Sequence, residues 1–426
     1  MKMTSYWLDT ARPFASGAQG GPQGTADVAV VGAGFTGLSA ALALAKKGAK
    51  VVVLEADRVA GAASGRNGGM CNNGFAQDYA GMVGKLGRER ANMLYRAFDA
   101  GVDKVESIVR EEGIDCHFAR VGKLKLAAKP EHYDRILRSQ ALLAQEVDPD
   151  TRLVPRAEMR DEIGSDRYYG GMLYLKGANM HMGQFGQGLA EAAARHGALI
   201  HEHNPVTAMK RLAGQAHELT TPHGSVRASQ VLLATGTSAV GPLGWFRRRI
   251  VPVGAFLIAT EPLPVELLDR LTPHRRNTTD TRNFVSYFRT SPDHRIIFGG
   301  RARFSGRSDA ASDAKSGVIL RQSMIGVFPE LADARIDYCW GGMVDMTRDR
   351  LPRAGERDGV FYSMGYSGHG THMATHMGAI MAEVLDGRAD LNPWRDFDWP
   401  AIPGYFGKPW FLPFVGAYYR YQDWVK

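Results

Sequence analysis

Apolar positions near the start of the chain form two short, almost continuous runs. ADVAVV (residues 26–31) and AKVVVLEA (residues 49–56) have the pattern that is typical of strands covered on both faces. Between them, LSAALALAKKG (residues 38–48) has the apolar face of a helix and ends in a glycine, which favours a helix C-terminus. The order of strand, helix and strand predicts a βαβ unit.

The pattern changes twice further along the chain. Helical periodicity fills much of residues 86–146, and QFGQGLAEAAARHG (residues 184–197) predicts another helix. Residues 240–337 instead contain proline-punctuated and alternating runs such as FVSYFR (residues 284–289), which predict an antiparallel sheet. From residue 338 onward the pattern returns to a strand, a glycine turn and a helix, and then ends in an aromatic tail.

Three glycines lie in the turn of the predicted βαβ unit. Gly32, Gly34 and Gly37 form GxGxxG directly between the strand and the helix, and Glu55 ends the next strand. Such glycines let the backbone approach a pyrophosphate at a helix N-terminus, and a strand-end acid accepts hydrogen bonds from ribose hydroxyls. The unit therefore predicts a dinucleotide cofactor and by itself leaves NAD and FAD open.

A second loop of small residues follows Glu55. DRVAGAASGRNGGM (residues 57–70) is rich in glycine, and QVLLATGTS (residues 230–238) is a buried strand that ends in another glycine turn. FAD needs such a loop, because its longer body reaches past the pyrophosphate to a ribityl chain and an isoalloxazine ring. We therefore expect the cofactor to be FAD.

Four segments carry a resemblance to a known family. The GxGxxG unit, GAASGRNGG, ATGTS and GYSGHG, in this order and spacing, resemble the D-amino acid and glycine oxidase superfamily of FAD-dependent amine oxidoreductases. SDRYYGGMLY, RIDYCWGG and the aromatic tail are similar to the γ-glutamylputrescine oxidase branch. The resemblance implies an α/β (α+β overall) fold, with a Rossmann-like FAD-binding domain and an antiparallel-sheet substrate domain, as in D-amino acid and sarcosine oxidases.

The length of 426 residues exceeds one ordinary core, so we expect two domains that share an interface. The expected division is an N-terminal segment (residues 1–25), a discontinuous FAD-binding domain (residues 26–90, 150–239 and 338–390), a substrate domain (residues 91–149 and 240–337) and an aromatic tail packed on the body (residues 391–426).

The motifs and the resemblance together give the candidate site residues. The expected FAD-binding residues are Gly32, Gly34, Phe35, Thr36, Gly37, Glu55, Ala56, Ser64, Arg66, Asn67, Gly68, Gly69, Val206, Thr235, Gly236, Gly341, Gly368, His369, Gly370 and Thr371. The expected catalytic and substrate-pocket residues are His369, Tyr287, His181 and Trp340, with Arg289 or Arg301 as carboxylate anchors.

Departures from the resembled enzymes refine these expectations. Sarcosine oxidases attach FAD to a cysteine where this chain has Gly342, so we expect FAD to be non-covalent. Those enzymes also place a lysine near the flavin to help it react with O2, whereas no lysine occurs between Arg211 and Ala314. Met70 and Gly183 depart from the γ-glutamylputrescine branch and leave the substrate specificity open.

The run YSGHGTHMATHMG contains three histidines that two kinds of site could use. His372 and His376 share one helix face, as zinc ligands at i and i+4 do, but a HExxH hydrolase needs a glutamate where Met373 stands. In the resembled family this turn faces the pyrimidine edge of the flavin, where backbone N–H groups and a helix dipole stabilise negative charge. We therefore expect no metal, and packing roles for His372 and His376.

Charge and composition exclude several classes of protein. The net charge of +8 comes without a nucleic-acid module or an extended basic stripe, so no nucleic-acid partner is expected. No apolar run approaches the roughly 20 residues of a membrane span. The three cysteines are too scattered for a disulfide framework, and the first residues lack the apolar segment of a signal peptide. These features predict a cytoplasmic protein.

The expected reaction is oxidation of a C–N bond in an amine, with a γ-glutamyl-capped polyamine as the expected substrate. Hydride transfer to flavin N5 gives an imine that hydrolyses to an aldehyde, and O2 is reduced to H2O2. The first alternative is an amino acid or amine dehydrogenase that passes electrons to a quinone or another acceptor. The second is a non-catalytic flavoprotein or RNA-modifying partner. The oligomeric state is left open.

Overall fold

The computed structural model describes residues 1–214, 216–238, 241–300, 306 and 308–425. Arg301, one of the two expected carboxylate anchors, lies outside the described residues.

Within the described residues, strands form from the runs of apolar and alternating positions. They are β1 (Thr25–Val31), β2 (Val51–Leu54), β3 (Met70–Cys71), β4 (Lys123–Leu126), β5 (Arg152–Pro155), β6 (Gly170–Tyr174), β7 (Ala178–Asn179), β8 (Leu199–His201), β9 (Ala208–Arg211), β10 (His217–Thr221), β11 (Gly224–Leu233), β12 (Val251–Thr260), β13 (Asn277–Asp280), β14 (Ser286–Thr290), β15 (Ile296–Gly300), β16 (Ile336–Met346), β17 (Arg353–Arg357) and β18 (Val360–Met364).

The described α-helices lie between and around these strands. They are α1 (Tyr6–Thr10), α2 (Phe35–Lys46), α3 (Tyr79–Leu86), α4 (Arg88–Glu112), α5 (Pro130–Glu146), α6 (Met159–Glu162), α7 (Met182–Arg195), α8 (Gly244–Arg247), α9 (Val265–Leu271), α10 (Ala310–Val327), α11 (Gly370–Leu385) and α12 (Leu412–Val425). None of these helices combines the length and apolar character that crossing a membrane requires.

The first sheet contains the predicted βαβ unit. Its strand order is β17-β18-β11-β1-β2-β8, and β10 and β9 extend from β11 as an antiparallel branch. Strands β8, β2, β1, β11 and β18 run parallel, and β17 pairs antiparallel with β18. Both β1 and β2 consist largely of buried residues because helices cover the sheet. The carboxyl ends of these strands meet at one edge, where ligands of doubly wound sheets bind.

The second sheet has the order β16-β12-β15-β14-β13-β4-β6-β5. It is antiparallel as predicted, except that β13 and β4 pair in parallel. One face packs against α10 through an apolar cluster in which the Phe288 and Phe298 rings stack with centroids 5.5 Å apart. Because side chains alternate across a strand, the residues between these point to the opposite face.

Strand pairing mixes the sequence segments of the two expected domains. β5 and β6 lie within residues 150–239, and β16 lies mainly within residues 338–390, yet all three belong to the second sheet. The domain boundaries stay a prediction.

The two ends of the chain pack in different ways. In the N-terminal segment (residues 1–25), α1 buries Tyr6 and Trp7 in the core. In the aromatic tail, the Tyr405 hydroxyl donates to the Ile250 carbonyl at 2.8 Å, whereas the Trp424 side chain on α12 is 81% exposed. Only part of the tail therefore packs on the body.

Candidate active site

A cavity of 930 Å³ opens between the two sheets. Its first wall consists of the carboxyl ends of β1, β2 and β11, represented by Val31, Leu54 and Ala234. Its second wall is the face of the second sheet that lies away from α10, and this face includes Met172 and Tyr287. The volume and position suit an elongated cofactor together with a small substrate.

The GxGxxG turn brings backbone to the first wall of the cavity. Gly32 has φ +105°, and a Cβ there would lie 2.7 Å from the Ala234 carbonyl oxygen. A Cβ on Gly37 would lie 1.9 Å from the Gly32 oxygen, so this glycine permits close packing of helix on turn. Gly34 lines the cavity and caps α2, so the α2 N-terminus is available to a pyrophosphate.

The Glu55 carboxylate holds the turn in this shape. One of its oxygens accepts from the Ala33 N–H at 2.6 Å, and the other accepts from the Asp57 N–H at 2.9 Å. Burial raises the pKa of Glu55 above its ordinary value, whereas these backbone donors act in the opposite direction. Glu55 lines the cavity beside Ala56, in the position expected for a ribose contact.

The second small-residue loop is closed by its own side chains. Arg66 Nε donates to the Gly61 carbonyl at 2.9 Å, and Asn67 Nδ2 donates to the Ser64 carbonyl at 2.7 Å. A Cβ on Gly68 would lie 2.9 Å from the Tyr287 ring, so a side chain there would collide with the second wall. The loop thus joins the cofactor wall to the second sheet.

Two further segments complete the first wall. Thr235 and Gly236 follow β11, and residues 366–371 form the turn that leads into α11. In the second turn the Tyr366 hydroxyl is 2.8 Å from the Thr36 hydroxyl, which ties the turn to the start of α2. Gly368 has φ +93°, and a Cβ there would meet nothing within 4 Å. An open left-handed position of this kind leaves backbone N–H groups accessible to a ligand.

Four buried polar atoms of cavity-lining residues have no hydrogen-bond partner among the described residues. They are Thr235 Oγ1, His369 Nδ1 and the two ring nitrogens of His372. Buried polar atoms without a partner are costly in a native protein, and a ligand bound in the cavity would satisfy these. Together with the glycine cradle and the open α2 N-terminus, they make the first wall compatible with a bound FAD.

The expected FAD-binding residues line the cavity with three exceptions. Gly37 packs against the turn, Gly69 lies against Arg289 and Trp7, and Gly341 lies behind Arg66, whose Nη1 donates to its carbonyl at 3.3 Å. The residues that do line it are Gly32, Gly34, Phe35, Thr36, Glu55, Ala56, Ser64, Arg66, Asn67, Gly68, Val206, Thr235, Gly236, Gly368, His369, Gly370 and Thr371.

The residues expected in the substrate pocket divide into two groups. Tyr287 and His369 line the cavity. His181 instead caps α7, where its Nδ1 accepts from the Gln184 N–H at 3.2 Å, and Trp340 donates from Nε1 to the Arg66 carbonyl at 3.1 Å. Both side chains are buried away from the cavity, so their contacts support the chain rather than a substrate.

Arg289 is also placed differently from the expectation. Its guanidinium is buried and donates to the carbonyls of Gly69 and Met180, at 3.0 Å for the latter. It does not line the cavity. A carboxylate anchor has to face the substrate, so the contacts of Arg289 indicate that it clamps the end of the small-residue loop.

The three histidines of the glycine turn are buried to different degrees. Burial lowers the pKa of His369 to about 3 and that of His376 to about 4, so both are neutral near pH 7. His372 is buried at the cavity wall, and neither of its ring nitrogens has a partner among the described residues. Anywhere in the described residues, no group of three or more His, Cys, Asp or Glu residues could hold a metal ion.

Gly342 lines the cavity where the resembled sarcosine oxidases carry an attachment cysteine. A Cβ there would lie 3.1 Å from Arg66 Cβ. The chain's three cysteines, Cys71, Cys116 and Cys339, are buried, and none lines the cavity. Non-covalent FAD stays a prediction, and this arrangement supports it.

Several cavity residues were absent from the sequence expectation. Lys123 and Lys125 reach the cavity from β4, and Asp345 reaches it from β16. Burial raises the pKa of Asp345 to about 6, and one oxygen of this carboxyl accepts from the Gly365 N–H at 2.6 Å. The alternation in KLKL was the available signal for the two lysines, but it does not reveal which face of the strand meets a cavity.

Known proteins resemble the chain over most of its length. A family model described as FAD dependent oxidoreductase matches residues 27–384. The gamma-glutamylputrescine oxidoreductase of Escherichia coli (strain K12) is 31% identical over 99% of this chain and 98% of that protein. A probable oxidoreductase OrdL of Haemophilus influenzae is 33% identical over 90% of this chain and 87% of that protein.

Solved structures share the fold. Glycine oxidase from Geobacillus kaustophilus superimposes with a TM-score of 0.69 at 20% identity, covering 90% of this chain and 98% of that chain. L-Amino acid deaminase from Proteus myxofaciens has a TM-score of 0.73 at 17% identity, covering 90% of this chain and 95% of that chain. These likenesses confirm the predicted fold class.

Proposed function

The chain belongs to the family of FAD-dependent oxidoreductases, and we propose that it oxidises a C–N bond of an amine, most favourably a γ-glutamyl-capped polyamine. The observation that carries the proposal is a cavity in which a glycine-lined wall lies opposite a sheet face that bears Tyr287 and two lysines. One wall suits the cofactor, and the other remains for the substrate.

We assign the cofactor to the first wall. The α2 N-terminus at Gly34 would hold the pyrophosphate, Glu55 the ribose, and the loop of Ser64 to Gly68 the remainder of the molecule. FAD, when bound, accepts a hydride from the carbon next to the amine nitrogen. Arg66 and Asn67 would keep the loop in its shape through their own backbone contacts.

The α11 turn has an electrostatic role in this proposal. The backbone N–H groups of Gly368 and Gly370 and the helix dipole would stabilise negative charge on the cofactor, whereas the His369 N–H donates to the Tyr366 carbonyl at 3.0 Å. His369 would contribute as a neutral side chain, because burial and the charge of Lys123 lower its pKa to about 3. The residues of the second wall would hold the amine in position, and positioning accounts for much of the rate in such a reaction.

The substrate class rests on the full-length similarity to the Escherichia coli gamma-glutamylputrescine oxidoreductase and on charge. A net charge of +8 disfavours approach of a free polycation at low salt. A carboxylate in a γ-glutamyl cap would offset part of the substrate's positive charge. We also keep the cytoplasm as the proposed location, since the few, scattered cysteines suit a reducing compartment.

An anaerobic amine screen tests this function. The holoprotein is mixed with γ-glutamylputrescine, putrescine, sarcosine and a D-amino acid, and loss of oxidised-flavin absorbance is followed without O2. We expect the capped amine to give the highest rate of flavin reduction per unit concentration. A higher rate with putrescine or the D-amino acid would contradict the proposed γ-glutamyl-capped substrate. No flavin reduction by any of the amines would contradict amine oxidation itself. Reduction without nucleic acid would exclude the RNA-modifying alternative.

A second candidate differs in the electron acceptor. The segment between Arg211 and Ala314 contains no lysine, whereas the resembled sarcosine oxidases use one for the reaction with O2. A dehydrogenase that reduces a quinone or another acceptor therefore remains the alternative to an oxidase. The yield of H2O2 per reduced flavin, compared with the rate of dye reduction, distinguishes the two. An oxidase should give near-stoichiometric peroxide.

A further inference from the structure

Strand β4 places two lysines on the cavity face of the second sheet. Lys123 and Lys125 are two residues apart, so their side chains leave the same face with Cα atoms roughly 6.6 Å apart. Both line the cavity, as do Thr279, which pairs with Lys125 on β13, and Met172, which pairs with it on β6. The intervening Leu124 points into the apolar cluster beneath α10. The lysines thus lie on the second wall between β13 and β6.

Neither lysine has a carboxylate within ion-pair distance among the described residues. The Lys123 ammonium lies 4.3 Å from the centre of the Tyr174 ring and 3.4 Å from the Asn73 carbonyl oxygen. That arrangement uses part of its three-donor capacity. The Lys125 ammonium has no hydrogen-bond partner among the described residues. A buried ammonium group is costly without an anionic partner. An anion bound at this face would therefore stabilise the two ammonium groups.

The charges around the two lysines also favour a bound anion. Burial, followed by the neighbouring charge of Lys125, lowers the pKa of Lys123 to about 7, and burial also lowers the pKa of Lys125. Arg135 and Arg138 on α5 line the same cavity and add positive charge. Asp78 is the carboxylate whose charge raises the pKa of Lys125. Its Oδ1 also accepts a hydrogen bond from the Gly81 N–H at the start of α3. A bound anion would favour the ammonium form of both lysines.

Three arginines of the second sheet and its loops have partners within the protein. Arg289 donates to two backbone carbonyls, Arg282 pairs with Asp280, and Arg295 pairs with Asp293 at 2.7 Å. Each of these guanidinium groups thus has a carbonyl or carboxylate partner within the protein. Lys123 is buried and Lys125 is partly buried, both line the cavity, and neither has an acidic partner among the described residues.

We propose that Lys123 and Lys125 form an anion subsite that binds a carboxylate of the substrate and selects amines that carry one. The inference rests on the proposed amine oxidation and specifies its substrate class. Two ammonium groups on one sheet face can each donate a charge-assisted hydrogen bond to the same carboxylate. The reacting carbon would then be held at a fixed distance from this subsite, and an uncharged analogue would lose both contacts.

A matched pair of amines tests the subsite. γ-Glutamylputrescine and 4-aminobutanoylputrescine differ only by the carboxylate, and their anaerobic rates of flavin reduction give a preference ratio. Loss of one charge-assisted hydrogen bond should lower this ratio by roughly 10-fold in Lys123→Met and in Lys125→Met. Calorimetric titration of the holoprotein with glutarate supplies a readout without turnover, and the two variants should bind this dicarboxylate more weakly by a similar factor.

Control variants separate the subsite from a general effect of charge or folding. Lys315→Met removes an exposed lysine of α10, which packs on the opposite face of the sheet, and should leave the ratio unchanged. Lys125→Arg keeps a positive charge and should retain more of the preference than Lys125→Met. FAD content and thermal melting show whether each variant is folded.

Three outcomes would overturn the inference. The first is an unchanged preference ratio in both methionine variants. The second is equal rates for the two amines in the wild-type protein, which would leave amine oxidation intact and remove the carboxylate subsite. The third is an effect confined to reoxidation by O2, which would assign the lysines to the acceptor side. No flavin reduction by either amine would instead count against the proposed function itself.

Discussion

The two walls of the cavity are built from different kinds of sequence. The cofactor wall consists of glycine turns at the carboxyl ends of parallel strands, and each turn is a continuous motif. The substrate wall consists of single side chains on alternating positions of β4, β6, β13 and β14, brought together by strand pairing. A site made of backbone groups depends on local turn geometry, which a short stretch of sequence specifies. A site made of side chains depends on the register of paired strands, which a short stretch does not specify.

The largest effect is expected at the cofactor wall. In Gly34→Val a branched side chain would occupy the space through which the backbone approaches the pyrophosphate, so we expect loss of FAD binding. The flavin content of the purified protein measures this. Gly84→Val is a matched control, because Gly84 is exposed on α3 and a Cβ there meets nothing within 4 Å. Normal flavin content in Gly34→Val would mean that the pyrophosphate site lies elsewhere.

The next effect concerns the clamp between the walls. Arg289→Met removes charge-assisted bonds to the Gly69 and Met180 carbonyls, and we expect the free energy of unfolding to fall by about 2–3 kcal/mol. Urea unfolding measures the change, and Arg110→Met on the exposed side of α4 serves as the control. Unchanged stability together with weaker binding of a carboxylated amine would make Arg289 a substrate anchor instead.

A smaller effect is expected where the walls meet. His369→Ala should retain most of the FAD and slow flavin reduction by roughly tenfold at most, because the backbone N–H groups of the α11 turn remain. Anaerobic stopped-flow absorbance measures the rate, and His223→Ala at an exposed position is the control. A complete loss of reduction would show that His369 acts as an acid, a base or a ligand.

The smallest effect is on acid stability. Burial lowers the pKa of His376 from 6.5 to about 4, so between these values the unfolded chain binds a proton that the native chain does not. The free energy of unfolding therefore falls as the pH drops through this window, as it does for His181 and His369. Asp345 opposes the trend below its raised pKa of about 6. His376→Gln should lessen the fall in Tm between about pH 7 and about pH 5, and an undiminished fall would contradict this assignment.

The same contrast explains how far the sequence could be interpreted. Local periodicity and turn chemistry made three features predictable from the sequence: the βαβ unit, the glycine turns and the antiparallel strands around FVSYFR. The parallel pairing of β4 with β13 was not predictable, because it joins segments some 150 residues apart. The cavity position of Lys123 depends on that pairing, whereas the exclusion of His181 and Trp340 from the cavity follows from their contacts with Gln184 and Arg66.

The N-terminal segment illustrates the same limit. Glycines and prolines near residue 20 are typical of a loop, yet Trp7 in the same segment is fully buried and its Nε1 donates to the Asn67 carbonyl at 2.7 Å. The short helix α1 gains its stability from tertiary packing rather than from its own propensity. No local pattern in five residues could specify that contact.

A crystal structure of the holoprotein with FAD and glutarate tests the central claim most directly. The account predicts the pyrophosphate at the Gly32–Gly34 turn, the flavin ring between the α11 turn and the second sheet, and a glutarate carboxylate within hydrogen-bond distance of Lys123 and Lys125. A flavin ring that lies away from the second sheet, or glutarate bound only by arginines with both lysines unoccupied, would contradict the division of the cavity into a glycine wall for the cofactor and a lysine-bearing wall for the substrate.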